Sequence, residues 1–382
     1  MKVLLISNYL PDGQQSMLAF GRVLERELPA AGCEVRVLAP KMRVAGIPHP
    51  RRLGKWLGYI DKFVLFIPSL ARHVRWADVV HIADHSNAMY VRWVASRPTL
   101  VTCHDVIAVQ AAMGLIEGWN VGRSGRLFQR LICQGLGQAD QIACVSDMTR
   151  RELLGLGLAE ERKVTTVING LNDDFAPVPP EAAQKLIARF GLPPGAPFLL
   201  HVGLDLARKN RPSVVRSFVE LQRRAAAAGI APVVDQLLFI GPPLEAESQE
   251  MLRGTGLADR VRTIKGITHQ ELRALYSSAT ALLFPSLQEG FGWPIVEAQA
   301  CGCPVFTSDL PPMNEIGGPG AVYVDPNDAV AIAAAIEQAA PRLAEMRRLG
   351  LENATHYSAA SMAANYVAAY RRAIGEHRSS VR

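Results

Sequence analysis

Residues 289–297 read EGFGWPIVE, two glutamates with seven residues between them, including two glycines, an aromatic pair and a proline. Pro294 suits the first turn of a helix, where its missing N–H would have no partner anyway. PIVEAQACG (294–302) therefore reads as a helix terminated by Gly302, and Gly290 to Trp293 as the turn at its N-terminus. Such a turn directs backbone N–H groups and the positive end of a helix dipole at one place, which suits a diphosphate. Carboxylates repel a phosphate but accept hydrogen bonds from hydroxyls. Glu289 at the strand mouth and Glu297 one helical turn beyond Pro294 thus predict a hydroxyl, phosphate, hydroxyl pattern, the outline of a sugar nucleotide.

These groups need a strand to carry them. The run ATALLFPS (279–286) supplies one, ending near Pro285. Other short apolar runs read the same way: KVLLIS (2–7), EVRVLAP (34–40), DVVHIAD (78–84), TLVTCHD (99–105), QIACVS (141–146), FLLHVG (198–203), QLLFIG (236–241), CPVFTSD (303–309) and AVYVD (321–325). Helical stretches such as 17–28, 213–228 and 269–279 alternate with them, which argues for βαβ units and parallel sheets. The Pro-rich stretch 174–197 divides the strands into two series. The expectation is an N-terminal α/β domain over 1–170, a linker and hinge over 171–196, and a second α/β domain over 197–357. The helix at about 358–382 is expected to pack back on the first domain.

In open parallel sheets, ligands sit beyond the carboxyl ends of strands. Polar residues there include Arg208 and Lys209 in HVGLDLARKNR, His104 and Asp105 in VTCHD, and Asp84 and His85 in HIADHSN. Two cations at a strand mouth can neutralise a leaving diphosphate. GxGxxG is absent after the first strand and no GxxxxGK[ST] occurs, which argues against a dinucleotide-dependent dehydrogenase and a P-loop enzyme. No DxD metal motif is apparent, so the site is read as metal-free.

The chain has 382 residues and formal net charge +6. Residues 1–170 hold 21 Lys+Arg against 14 Asp+Glu, and the remainder 20 against 21. The basic half carries no Lys/Arg stripe interleaved with aromatics in a nucleic-acid-binding module, so an anionic substrate or membrane surface is the better match. Six cysteines show neither disulfide nor zinc spacing, and no stretch suits a signal peptide or a membrane span. A cytoplasmic protein is expected. Residues 51–76 mix cations with Trp56, Tyr59, Phe63, Phe66 and Trp76, and offer either a helix on the domain core or a peripheral contact at the inner membrane surface.

EGFGWPIVEAQACGCPVFTSDLPPMNEIGG resembles the C-terminal signature of retaining glycosyltransferases of the GT-B fold, family 4 in particular. HVGLDLARKNR, KGITHQELRALYSSA, VTCHD and VINGLNDDF resemble further segments of that family in the expected order. The resemblance implies two Rossmann-like domains with parallel sheets facing a central cleft. It implies a nucleotide-diphosphate sugar as co-substrate, no cofactor or metal, and a glycan or lipid-linked acceptor. Glu289 would hold donor sugar hydroxyls, Glu297 the ribose, and the backbone of Gly290, Phe291 and Gly292 the diphosphate and sugar. Gly203 and Ile267 would line the donor site, the latter at the base. His104 would meet the donor sugar, with Gly13, Asp84, His85 and Asp105 on the acceptor side. Two departures stand out: Leu204 occupies the place of a family arginine, and Gly13 is single where the family often has two glycines. A catalytically silent binding subunit and a sugar-nucleotide epimerase are the rival readings.

Overall fold

The computed structural model describes residues 1–193 and 195–381. Pro194 of the expected linker and Arg382 of the expected C-terminal helix lie outside the described residues. The chain forms two compact units. The first joins Met1–Asp173 to the stretch from Ser358 onward, and the second is Asp174–Tyr357.

The first unit holds a six-stranded parallel sheet. Its strands are β1 (Lys2–Ile6), β2 (Glu34–Leu38), β3 (Val79–Ile82), β4 (Thr99–Cys103), β5 (Gln141–Cys144) and β6 (Val164–Thr166), in the order β2-β1-β3-β4-β5-β6. Val3 to Ile6, Val79 to Ile82 and the whole of β4 are buried, which is why these runs are mostly apolar rather than alternating, with His81, Thr99 and Thr102 as buried polar exceptions. The chain leaves β1 toward β2 and returns on its other side as β3, so the order reverses between β1 and β3. A crevice opens at such a reversal because the two connections depart to opposite faces.

The helix Ala359–Val381 packs on this sheet through Tyr366 and Tyr370. Buried His81 anchors it. Its Nδ1 meets the Tyr370 hydroxyl at 2.8 Å and its Nε2 the Thr102 Oγ1 at 2.8 Å, while Thr102 Oγ1 also meets the Tyr366 hydroxyl at 3.0 Å. Burial, with the neighbouring His104 adding to it, lowers the imidazole to about 3. The ring is therefore neutral, donating through one nitrogen and accepting through the other.

The second unit holds β7 (Phe198–Val202), β8 (Gln236–Ile240), β9 (Val261–Ile264), β10 (Ala281–Phe284), β11 (Val305–Ser308) and β12 (Ala321–Val324). All pairs are parallel, in the order β12-β11-β10-β7-β8-β9. This is the doubly wound order of dinucleotide-binding folds, with its reversal between β7 and β10. Buried Leu199, Leu237, Leu283 and Phe306 form the core with Val214, Phe218, Ile332 and Ile336 of the covering helices.

The stretch read from its prolines as a linker is folded into this unit from residue 174. Its helix Pro180–Ile187 buries Ala183 and Ile187, and Val178 N donates to Ser277 Oγ at 3.0 Å. Arg189 then forks onto Glu271 at 2.5 and 2.8 Å. Glu271 also completes a capping box with Thr268 at the start of the helix His269–Ser278. The prolines mark the turns of this segment, not a free tether.

The Arg189 hydrogen bonds, followed by those from Thr268, lower Glu271 from 4.5 to about 2. A depressed carboxylate contributes stability above its unfolded value and loses it as pH falls toward its folded one. Glu271→Gln is therefore expected to lower Tm at pH 7, with the gap to wild type closing between pH 4.5 and about 2. Thermal melts at pH 7, 5, 4 and 3 check this, and a gap that stays constant across the series would refute it.

Candidate active site

The loops leaving β7 and β10 meet at the reversal point of the second sheet. Residues Ala207–Lys209 form a single turn, and Asn210 follows in the left-handed region at φ 51°. Asn210 Nδ2 donates to the carbonyls of Pro285 (3.2 Å) and Pro326 (2.8 Å), and Leu287 N donates to Arg208 O at 2.7 Å. Three strand mouths are thereby pinned together. Gly203 lies just past β7, where an added Cβ would stand 3.2 Å from His201 Nε2 and 3.4 Å from Lys209 Cδ. Its small size lets the Lys209 stem lie along the strand end.

That packing brings Lys209 to Glu289. Lys209 Nζ donates to Glu289 Oε1 at 2.6 Å, and Arg208 Nη1 donates to Oε2 at 2.7 Å and to Gln288 O at 3.0 Å. Glu289 and Lys209 are 7% and 9% exposed, which makes the pair a buried one. Burial pushes the Glu289 carboxyl up, but the charges and hydrogen bonds of Lys209 and Arg208 hold it below the usual range. Burial also pulls Lys209 below the ordinary lysine range, and Glu289 only partly opposes this because Arg208 adds a second positive charge. Glu289 contacts two cations, Lys209 and Arg208. The triad carries formal charge +1, suited to an incoming anion.

Glu297 stands on the helix Trp293–Ala300 and accepts from the buried Tyr276 hydroxyl at 3.0 Å. Gly292 is the N-cap at φ 102°, a conformation open to glycine and costly for a residue with a Cβ. Phe291 is buried against Trp293 and Tyr357 with centroids at 5.7 and 6.0 Å. Gly290 precedes it on the same turn. Gly302 ends the helix at φ 73°, with Gly302 N bonded to Gln299 O and Cys303 N to Ala298 O. Ile267 lies beyond β9, half-buried, just before the Thr268 cap.

In the first unit, a second group gathers at the reversal between β1 and β3. Asn8 Nδ2 reaches Asp84 Oδ2 and Gln14 Oε1, each at 2.5 Å. Asp84 further accepts from Ser86 N (2.9 Å) and Ser86 Oγ (2.7 Å), with His85 Nδ1 at 3.3 Å. Burial pushes the Asp84 carboxyl up, yet His85, His104 and Ser86 lower it overall. His104, 4% exposed, lies against the Phe20 ring and meets Ala83 O through Nε2 at 2.9 Å. A carbonyl only accepts, so Nε2 carries the proton and Nδ1 has acceptor character when the ring is neutral. Burial depresses His104, with Asp84 opposing, and so favours that neutral form. Asp105 has a local contact: its Oδ1 accepts from Ile107 N at 3.0 Å, in the turn that leads into the helix Ile107–Ala112. Gly13 sits exposed at φ 69° at the end of a short turn after β1.

Of the residues expected from sequence, Glu289, Lys209, Arg208 and Gly203 converge in the second unit. Asp84, His85 and His104 converge in the first. Both cations expected at a diphosphate are engaged with Glu289. Asn8, Asn210 and Tyr276 were missed. Asn8 lies two residues past the first strand and Asn210 directly follows Lys209, a placement after strand or turn that signals both. Tyr276 carries no such signal. Among the described residues, no group of three or more His, Cys, Asp and Glu could hold a metal ion.

Two doubly wound parallel units with charged groups at their reversal points define the GT-B class. The match with sucrose-phosphate synthase from Thermosynechococcus elongatus agrees, with TM-score 0.72 at 22% identity over 97% of this chain and 98% of that one. Residues 22–175 match the family described as Glycosyltransferase Family 4, and residues 183–350 the one described as Glycosyl transferases group 1. The chain belongs to this glycosyltransferase family. Among its relatives is the O-antigen chain mannosyltransferase B of Escherichia coli, 27% identical over 60% of this chain and 62% of that protein. Another is the D-inositol 3-phosphate glycosyltransferase 2 of Catenulispora acidiphila, 30% identical over 64% and 59%. The matched stretch thus spans about three-fifths of the length of these relatives.

Proposed function

We propose that the chain is a retaining, metal-independent hexosyltransferase. It moves a hexose from a UDP- or GDP-sugar to a glycan or lipid-linked acceptor in cell-surface polysaccharide or glycolipid synthesis. It works in the cytoplasm, with peripheral contact at the inner membrane surface. The observation that carries this reading is the buried Lys209–Glu289–Arg208 cluster at the β7/β10 reversal of a nucleotide-binding topology.

In the reaction, the bond between the sugar's anomeric carbon and the β-phosphate oxygen breaks. The acceptor oxygen forms the new bond on the same face, and its proton passes to the departing phosphate. Negative charge grows on that phosphate. Lys209 and Arg208 stabilise it from positions already fixed by their contacts with Glu289. Glu289 positions both cations and accepts from donor sugar hydroxyls. Glu297, oriented by Tyr276, receives the ribose hydroxyls, and the turn over Gly290, Phe291 and Gly292 approaches the diphosphate. Ile267 borders the base. In the first unit, neutral His104 accepts from a sugar hydroxyl through Nδ1, and Asp84 with His85 receives the acceptor.

The test is donor hydrolysis and transfer across a panel of UDP-, GDP- and ADP-hexoses with and without EDTA. Turnover of one donor class, unaffected by EDTA, is expected. Tight nucleotide binding without turnover of any donor would favour a silent binding subunit and overturn the transferase reading.

A further inference from the structure

The first unit carries a groove of about 740 Å³ lined by Tyr59, Phe63, Met89, Trp93, Phe128 and Leu131. Tyr59 and Phe128 stack at 5.9 Å and 16°, and Phe63 lies 5.7 Å from Phe128. The polar groups at its rim are Arg92, Gln134 and Gln138. No carboxylate lines it, although carboxylates are what this fold places where hydroxyls are expected.

Tyr59 also lines a second cavity, of about 440 Å³, together with Tyr9, Asp12, His49, Lys55 and Lys62. Lys62 is 8% exposed, pairs with Asp12 at 2.8 Å and lies 5.3 Å from the Tyr59 ring centre. Lys55 approaches the same ring at 5.9 Å. The buried Asp61 fixes this wall: it accepts from Arg43 N, Val44 N, Ala45 N and the Tyr9 hydroxyl. Asp61 and Lys62 begin a π-helical turn, Asp61–Leu65, a distortion often kept at functional sites. Tyr9 and Asp12 belong to the loop that leaves β1, so the cationic cavity borders the reversal point that holds Asn8 and Asp84.

The outer side of the same helical stretch exposes Leu53, Trp56, Ile60 and Val64, at 44, 61, 39 and 60%. Their spacing of three, four and four residues makes one apolar stripe. An apolar groove, a cationic cavity and an apolar stripe thus share one short segment.

The geometry points to a single site for an amphiphile: the cationic cavity takes a phosphate head and the aromatic groove takes its hydrocarbon chain. The occupant is the lipid-linked acceptor itself. This rests on the transferase reading and names the acceptor class for it. The phosphate complements Lys55, Lys62 and His49. The chain removes apolar surface from water at about 25 cal/mol per Å². The groove volume is within the range of small-molecule sites.

Isothermal titration with farnesyl phosphate, farnesol and inorganic phosphate tests the site on the full chain. Farnesyl phosphate is expected to bind at least 10-fold more tightly than either fragment. Phe128→Ala, and Gln134→Trp placed at the exposed rim to fill the groove, are each expected to weaken farnesyl phosphate about 10-fold or more. Lys55→Ala is expected to weaken farnesyl phosphate and leave farnesol unchanged. Nucleoside-diphosphate binding, measured in parallel, reports that each variant is folded. Equal affinity of wild type and both groove variants, or tighter binding of a short oligosaccharide than of farnesyl phosphate, would overturn the proposal. So would binding seen only to anionic phospholipid vesicles, which would assign the patch to the bilayer. Farnesyl phosphate binding in a protein that turns over no donor would sink the transferase reading while leaving the amphiphile site standing. Donor turnover without farnesyl phosphate binding would do the reverse.

Discussion

Glu289→Gln is expected to reduce sugar transfer about 100- to 1,000-fold, the scale seen when one preorganised electrostatic group is removed from an active site. Gln keeps the size of the side chain and can still meet a hydroxyl. It removes the carboxylate that bonds both Lys209 Nζ and Arg208 Nη1. Lys209 is already held low by burial, and Glu289 is the main group opposing that. Without the carboxylate, the lysine falls further and loses charge at lower pH. The residual activity of the variant should therefore rise as pH falls, on the side where Lys209 regains its proton. Nucleoside-diphosphate binding should survive at pH values where Lys209 keeps its proton, since the bound anion then takes the place of the carboxylate beside both cations. Initial rates and nucleotide titrations at several pH values check both points. Transfer unchanged from wild type would remove Glu289 from the sugar site.

Lys209→Met has the second large effect, and it falls on affinity and stability together. Truncating one member of a buried charge pair costs about 2–5 kcal/mol, much of it for the partner left behind. Here Glu289 keeps Arg208, so the loss in stability should sit near the lower end, about 2 kcal/mol. The loss in nucleoside-diphosphate affinity should be larger if, as proposed, Lys209 meets the phosphate. The Arg208 side chain is 26% exposed against 11% for Lys209. Partial exposure to water screens the Arg208 contact more than the Lys209 one. Arg208→Met should therefore be much the milder change. Denaturant melts and nucleotide titrations on the two variants decide this, and an equal or greater loss from Arg208→Met would reverse the assignment.

What could be read in advance was what depends on neighbours in the chain. EGFGWPIVE announced its turn and helix because Gly292, Pro294 and Gly302 act on their own backbone. The helix runs over Trp293–Ala300, within two residues of expectation. Strands such as Lys2–Ile6 were legible because a strand buried on both faces is a short, largely apolar run. The Pro-rich stretch misled for the same reason. Prolines report local turns, but whether a segment is tethered or docked depends on a distant surface. Here that surface is the helix His269–Ser278, met through Arg189 and Glu271, 82 residues apart.

The sequence by itself determined the two series of parallel strands, the helix N-terminus beyond Gly292, the family resemblance and the residue types at the strand mouths. Those are set by periodicity, backbone preference and short spacing. Tertiary structure alone decided which groups touch. It put Lys209 on Glu289 across 80 residues, Asn8 on Asp84 across 76 and His81 on Tyr370 across 289. It also made the cations partners of the acid rather than a separate clamp, and joined Tyr59 to two cavities at once. The physical reason is strand order. Which loops share a crevice follows from where each sheet reverses, and no spacing along the chain encodes that reversal.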